Sequence, residues 1–236
     1  MTSQSGIEWT EQTWNPVTGC TKVSPGCKNC YAETMARRLQ AMGVVGYENG
    51  FSTVTLVPSR LDHPKKRKQS TVYFVNSMSD LFHEEVPFSY IDQVFKTIRE
   101  CPQHVFQILT KRPERMLEYT QERVLPDNAW MGTSVEDKKY GVPRIPIIRK
   151  VPASVRFLSV EPLLEDIGKV NLHGIDWVIV GGESGKGARP MKPEWVENVR
   201  KQCAQQGIDF FFKQWGAWGE DGEKRSKKEN GRNLNG

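Results

Sequence analysis

The sequence predicts an α/β fold built on a parallel sheet. Three observations carry this reading: short apolar, β-rich runs recur along the 236 residues, helical stretches separate most of them, and the runs are continuous more than alternating. Continuous apolar runs suit strands buried on both faces, as parallel strands are between layers of helix. Strand–helix alternation repeated about six times implies such a sheet. A barrel and an open doubly wound sheet both satisfy the pattern.

In chain order, a weak strand pattern lies at 7–14. The helix YAETMARRLQAM follows at 31–42, with apolar spacing near 3.6 and a stop at Gly43. VYFV at 72–75 is the first clear strand. A helix at 89–99 has Ser89 as its expected cap. VFQIL at 105–109 is the next strand, and Pro113 opens a helix to 124. Strands at 130–131 and 155–160 flank an irregular segment, 143–152, that holds three prolines. WVIV at 177–180 precedes a helix at 193–206, opened by Pro193 and ended by Gly207. IDFFF at 208–212 is the last strand. Residues 1–220 read as one domain and 221–236 as a polar, flexible tail.

Hydrophobic residues make up 37% and charged residues 26%, which fits a folded globular chain and excludes a disordered one. No run of about 18 apolar residues is present, so no membrane span is expected. The start, MTSQSGIEWTEQTWNP, lacks a basic stretch followed by an apolar one, and the expected compartment is the reducing cytoplasm. The net charge of +5 fits a polyanionic partner. Basic residues crowd at Lys65-Lys66-Arg67-Lys68 and around 224–228, and seven Trp and six Tyr offer stacking surfaces for bases.

The strand ends are polar. They run into Asn76-Ser77-Met78-Ser79-Asp80, Thr110-Lys111-Arg112, Thr133-Ser134-Val135-Glu136, Ser159-Val160-Glu161, Gly181-Gly182-Glu183 and Lys213-Gln214-Trp215. Parallel strands finish on one side of a sheet, where α/β folds place their sites. Glu161, Glu183 and Lys213 are the catalytic candidates at these ends. Lys111, Arg112, Arg189 and Lys213 could partner the carboxylates. GGESGKG at 181–187 is not a Walker A loop.

Three of the five cysteines fall within eleven residues, Cys20, Cys27 and Cys30. In a reducing compartment such a cluster reads as metal-binding or redox before disulfide. Structural zinc would need a distant fourth ligand. A Cys-x-x-Cys redox pair would leave Cys20 unused. A 4Fe–4S cluster on three thiolates leaves one iron open to a small-molecule chelate. Cys101 and Cys203, near helix ends, read as small buried hydrophobes.

At these residues the chain resembles the radical S-adenosylmethionine (SAM) superfamily. WNPVTGCTKVSPGCKNCYAE is similar to the signature of a phage-associated, largely uncharacterised family within it. The likeness extends through NSMSDLFH, LTKRP, GTSVE, SVEPL, VIVGGESG and FKQWG. The superfamily's usual cysteine spacing is three residues then two, whereas here it is six then two. The resemblance implies a partial (β/α)6-type TIM-like barrel with parallel strands, a 4Fe–4S cluster on Cys20, Cys27 and Cys30, and bound SAM. It implies SAM contacts from Ser77, Ser79, Asp80, Ser134, Glu136 and Gly182. The adenine contact falls to Tyr31, since Asn29 stands where the superfamily often has an aromatic residue. Lys111, Arg112, Arg189, Gln214 and Trp215 are the substrate-binding candidates.

The implied chemistry is reductive cleavage of SAM to a 5′-deoxyadenosyl radical that abstracts hydrogen from a substrate. The expected substrate is a nucleobase in phage DNA or a nucleotide, rearranged or modified as by an isomerase or lyase, with an external one-electron reductant. The rival is a non-catalytic nucleic-acid-binding protein with a zinc- or cluster-stiffened loop. A Mg²⁺ site on the acidic strand ends is a further alternative. The absence of a Gly-x-Ser-x-Gly elbow and a Walker A loop sets a hydrolase or phosphotransferase below these. Oligomeric state is not readable from the pattern.

Overall fold

The computed structural model describes Ile7 and residues 9–234. The elements in chain order begin with β1 (Gln12–Trp14), β2 (Val17–Thr18), α1 (Tyr31–Ala41), β3 (Thr55–Leu56) and β4 (Val72–Val75). They continue with α2 (Phe88–Arg99), β5 (Val105–Thr110), α3 (Pro113–Thr120), β6 (Ala129–Ser134) and α4 (Ile145–Ile148). The last are β7 (Arg156–Val160), β8 (Trp177–Gly181), α5 (Pro193–Gln206), β9 (Asp209–Gln214) and α6 (Lys227–Asn230). A parallel seven-stranded sheet has the order β1-β4-β5-β6-β7-β8-β9, and β2 pairs with β3 antiparallel. This is the parallel α/β class that the apolar runs predict.

The chain divides into two compact units. The first comprises the chain to Lys22, Ala32–Gly132 and Val151–Val155. Here β1 pairs with β4 in the register Gln12↔Tyr73, and β4 pairs with β5 in the register Val72↔Val105. Its core is aromatic. Trp14 meets Phe106 edge-on with centroids 5.6 Å apart, and Tyr73 stacks on Phe106 at 5.4 Å. The Trp14 indole N–H finds its acceptor in the Arg60 carbonyl at 2.7 Å.

The second unit comprises Val23–Tyr31, Thr133–Lys150 and Arg156–Gly236. Here β7 pairs with β8 and β8 with β9, all parallel, with an irregularity between Val180 and Gly181. The run FLSV of β7 and the run VIVG of β8 are buried throughout, as continuous apolar strands should be. Each fully buried Val, Leu, Ile or Phe there contributes about 1.5–3 kcal/mol. The helix α5 opens on Pro193, whose missing N–H is no loss at a helix start, and closes on Gly207 at φ 70, ψ 34.

Several boundaries differ from expectation. Lys213 and Gln214 lie inside β9, not after it, because the pairing with β8 continues to Gly181↔Gln214. β9 ends the strand order and is half-exposed rather than buried on both faces. β6 extends to Ser134, so Thr133 and Ser134 are strand residues. The helix expected to begin at a Ser89 cap starts at Phe88 after Pro87, whose φ of −62 and ψ of 144 set the entry without a side-chain cap. α3 ends at Thr120 rather than 124. Among the described residues, the strand sought at 7–14 is Gln12–Trp14. The leader reading at residues 1–6, Glu8, and the last two residues of the polar tail lie outside the described residues. Within that tail, α6 carries a capping box between Ser226 and Glu229. Among the described residues no helix is long and apolar enough to cross a membrane.

Candidate functional site

Cys20 belongs to the first unit and follows β2. Its N–H donates to the Phe51 carbonyl at 2.8 Å. The guanidinium of Arg112 stands beside it, with Nη1 3.8 Å from Sγ, a charge complementary to a thiolate. Arg112 is buried and reaches Asp80 at 3.2 Å and Glu84 at 3.0 Å. Burial pushes this guanidinium down, but the charges of Asp80 and Cys20, with Glu84 behind them, outweigh it and hold it above its ordinary value. Asp80 in turn accepts from Thr110 Oγ1 at 2.7 Å, Lys111 N at 3.1 Å and Phe82 N at 3.0 Å. The end of β5 and the segment after β4 are thus tied into one ionic node beneath Cys20.

Thr21 extends the node. Its hydroxyl accepts from Arg112 Nη2 at 2.9 Å and lies 2.7 Å from His83 Nε2. His83 is 0% exposed, and its Nδ1 accepts from Glu85 N at 3.2 Å. Nε2 therefore carries the proton and donates to Thr21. Burial, and then the Arg112 charge, push this imidazole down and keep it neutral.

Cys27 and Cys30 belong to the second unit. Cys27 closes a single 3-10 turn, Pro25–Cys27, and Ser24 Oγ lies 3.9 Å from its Sγ. The Ser24 hydroxyl donates to Glu136 Oε1. Glu136 is 0% exposed and pairs with buried Arg144 at 2.7 Å, while the same Arg144 nitrogen donates to the Ser134 carbonyl at 2.9 Å. The turn presses on this carboxylate: a Cβ at Gly26 would stand 2.9 Å from Glu136 Oε1.

Next to Cys30, the Asn29 amide donates to Glu183 Oε2 at 3.0 Å and to the Gly187 carbonyl at 2.8 Å. Arg189 grips Glu183 through Nε at 2.9 Å, Nη2 at 2.6 Å and its own backbone N–H at 2.9 Å. Burial pushes the Glu183 carboxyl up, yet the hydrogen bonds from Arg189 and Asn29 and the Arg189 charge hold it below the usual carboxylate range.

The remaining candidates divide by what already holds them. Ser77 Oγ donates to Asn15 Oδ1 at 3.2 Å and Ser79 Oγ to the Val17 carbonyl at 2.7 Å, so both hydroxyls brace the chain near β2. Glu161 pairs with Lys213 at 3.0 Å and accepts from Ser159 Oγ at 3.3 Å; both members of the pair are half-buried. The Gln214 amide donates to Ser184 Oγ at 3.1 Å. Gly182 passes so close to the Trp215 carbonyl that a Cβ would collide with it. Trp215 is 1% exposed, and its indole N–H donates to the Asn233 carbonyl at 2.9 Å, which places the ring in the core. Lys111 is half-buried, and Tyr31 is 55% exposed at the first position of α1.

Thr21, Ser24, His83 and Arg144 were not singled out from the sequence, and Asn29 stood out only for the aromatic residue it replaces. The proximity of Thr21, Ser24 and Asn29 to the cysteines was the available signal. Nothing local marked Arg144, which meets Glu136 only because the chain turns back after β6.

The five cysteines form two chemical classes. Cys101 and Cys203 are buried free thiols, pushed up by burial, Cys203 to about 11. Cys20, Cys27 and Cys30 are half-exposed. Among the described residues no three His, Cys, Asp or Glu side chains are grouped to share one metal ion. In an iron–sulfur cubane each thiolate takes its own iron, a wider arrangement. Half-exposed thiols of this kind, with Arg112 beside Cys20, fit that group by the chemistry of the donor set.

No curated protein matches the sequence. Among solved structures, a point mutant of spore photoproduct lyase is similar with a TM-score of 0.51 and 12% identity, covering 89% of this chain and 65% of that one. A second structure of that lyase, with bound AdoMet and dinucleoside spore photoproduct, gives 0.49 at 12% identity and the same coverage, 89% and 65%. The chain thus spans 65% of the lyase chain, a little under two thirds. At this identity the likeness is one of fold, a parallel α/β architecture shared with that enzyme. A family described as "Protein of unknown function (DUF5131)" matches residues 4–236, and the chain belongs to that family.

Proposed function

We propose that this protein is a radical SAM enzyme in which Cys20, Cys27 and Cys30 hold a 4Fe–4S cluster, and that it acts on a nucleobase in DNA or on a nucleotide. The observation that carries the reading is the split among the cysteines. Three cysteines lie half-exposed within eleven residues, while the other two are buried. The fold shared with spore photoproduct lyase supports it. Held by Cys20, Cys27 and Cys30, such a cluster would supply the single electron for reductive cleavage of SAM, drawn from an external reductant.

The chain's own residues orient and exclude. The three cysteines serve as thiolates, and Arg112 balances the charge at Cys20. Exposed Tyr31 offers its ring to adenine. The main chain at Ser134 and Gly182 lines the SAM side, where a bulky side chain has no room at Gly182. Half-buried Glu161 and Lys213, at the ends of β7 and β9, face the substrate as a hydrogen-bonding pair. Lys111 and the basic balance of the chain, +5, suit a phosphate-bearing substrate. The lyase, by its name, acts on the spore photoproduct, in keeping with that class.

Anaerobic reconstitution with iron and sulfide should give a brown protein whose visible absorbance disappears in the Cys20→Ala/Cys27→Ala/Cys30→Ala variant. Dithionite and SAM should then yield 5′-deoxyadenosine. Stoichiometric zinc with no iron uptake would sink the cluster and favour a zinc-stiffened binding protein. A loaded cluster that forms no 5′-deoxyadenosine would sink the radical chemistry. Binding to DNA that weakens steeply with salt would favour the polymer over a free nucleotide.

A further inference from the structure

Residues Val23–Tyr31 belong to the second unit although the chain on either side of them belongs to the first. The hydrogen bonds of this segment explain why. At one end the Ser24 hydroxyl donates to Glu136, and Gly26 leaves room for the Glu136 carboxyl to lie against the turn. At the other end the Asn29 amide bridges Glu183 and the Gly187 carbonyl. Each glutamate is itself immobilised by an arginine, Glu136 by Arg144 and Glu183 by Arg189.

We propose that Glu136 and Glu183 are positioning residues, which set where Cys27 and Cys30 stand by holding Ser24 and Asn29, and that neither reacts with substrate. Both carboxylates are buried and their oxygens are taken by donors within the protein. A carboxylate gripped this way is a poor base and a rigid post. The same geometry accounts for Asn29. An amide there has a donor to give Glu183, which a phenylalanine ring would not. The anchoring is a property of the metal-free chain; only its effect on a cluster rests on the function proposed above.

Removing either glutamate would strip buried Arg144 or half-buried Arg189 of its carboxylate partner and destabilise the fold as a whole. The test therefore uses Ser24→Ala and Asn29→Ala, with Ser24→Thr as the conservative variant. In metal-free protein, amide exchange over Val23–Tyr31 should quicken at least tenfold in the two alanine variants, remain near wild type in Ser24→Thr, and be unchanged in β7 and β8. After reconstitution, the reduced-cluster electron paramagnetic resonance spectrum should shift in the alanine variants and return in Ser24→Thr. Unchanged exchange in both alanine variants overturns the anchoring, whatever the iron content. Faster exchange with an identical resonance spectrum overturns the claim that the anchors set the cluster. Faster exchange in a protein that never takes up iron supports the anchors and rejects the cluster.

Discussion

The two arms of the cysteine segment are held by opposite charges. Cys20 rests beside a cation, Arg112, whose own balance comes from Asp80 and Glu84. The turn and amide next to Cys27 and Cys30 rest on anions, Glu136 and Glu183, whose balance comes from Arg144 and Arg189. The first arrangement acts on sulfur directly, and the second acts through hydroxyl and amide hydrogen bonds. The difference teaches that one kind of residue, the strand-end carboxylate, serves in two ways. Asp80 fixes a cation that touches a cysteine, whereas Glu136 and Glu183 fix the backbone that carries one.

The comparison can be broken at its strongest point first. Arg144→Ala leaves Glu136 buried with only the Ser24 hydroxyl as a side-chain partner among the described residues. Stripping one member from a buried pair costs about 3–5 kcal/mol, and the urea midpoint should fall accordingly. Arg112→Ala is expected to cost less, about 1–3 kcal/mol, because Asp80 keeps Thr110 Oγ1, Lys111 N and Phe82 N. Equal losses in the two variants would erase the distinction between the arms.

A finer cut is Thr21→Val, which removes the hydroxyl that Arg112 and His83 share. About 0.5–1.5 kcal/mol should be lost on urea unfolding, with the amides over Val23–Tyr31 undisturbed. The smallest effect concerns pH. The folded Glu183 carboxyl lies below its ordinary value of 4.5, so its contribution is fully present above that value and is lost as pH falls through the lower folded one. A plot of urea midpoint against pH should therefore be flatter in Glu183→Gln than in wild type below about pH 4.5.

The parts of the fold that depend on local pattern were legible. FLSV and WVIV read as buried parallel strands because their apolar character is continuous, and Gly207 marked the end of α5 because only a left-handed residue closes that turn easily. β2 and β3 were not legible, since two-residue strands leave no period to detect. The three cysteines stood out by spacing alone. The partners of their segment did not: Ser24 and Glu136 are 112 residues apart, and Asn29 and Glu183 are 154 apart. Contacts of that span follow from strand order, which composition and periodicity do not encode. For the same reason Glu136 and Glu183 stood out as polar strand ends while their grip on the cysteine segment did not, and the burial of Trp215 was not visible in its sequence neighbourhood.

The anchoring of Val23–Tyr31 by residues so much later in the chain has a consequence for biosynthesis. All three cysteines leave the ribosome long before Glu183 does. At roughly 5–20 residues per second, the 154 residues between Asn29 and Glu183 take on the order of ten seconds to be made. Throughout that interval Cys27 and Cys30 lie on a segment whose second post, Glu183, does not yet exist. The order of synthesis therefore leaves the Asn29 end of the segment unanchored until Glu183 has been made.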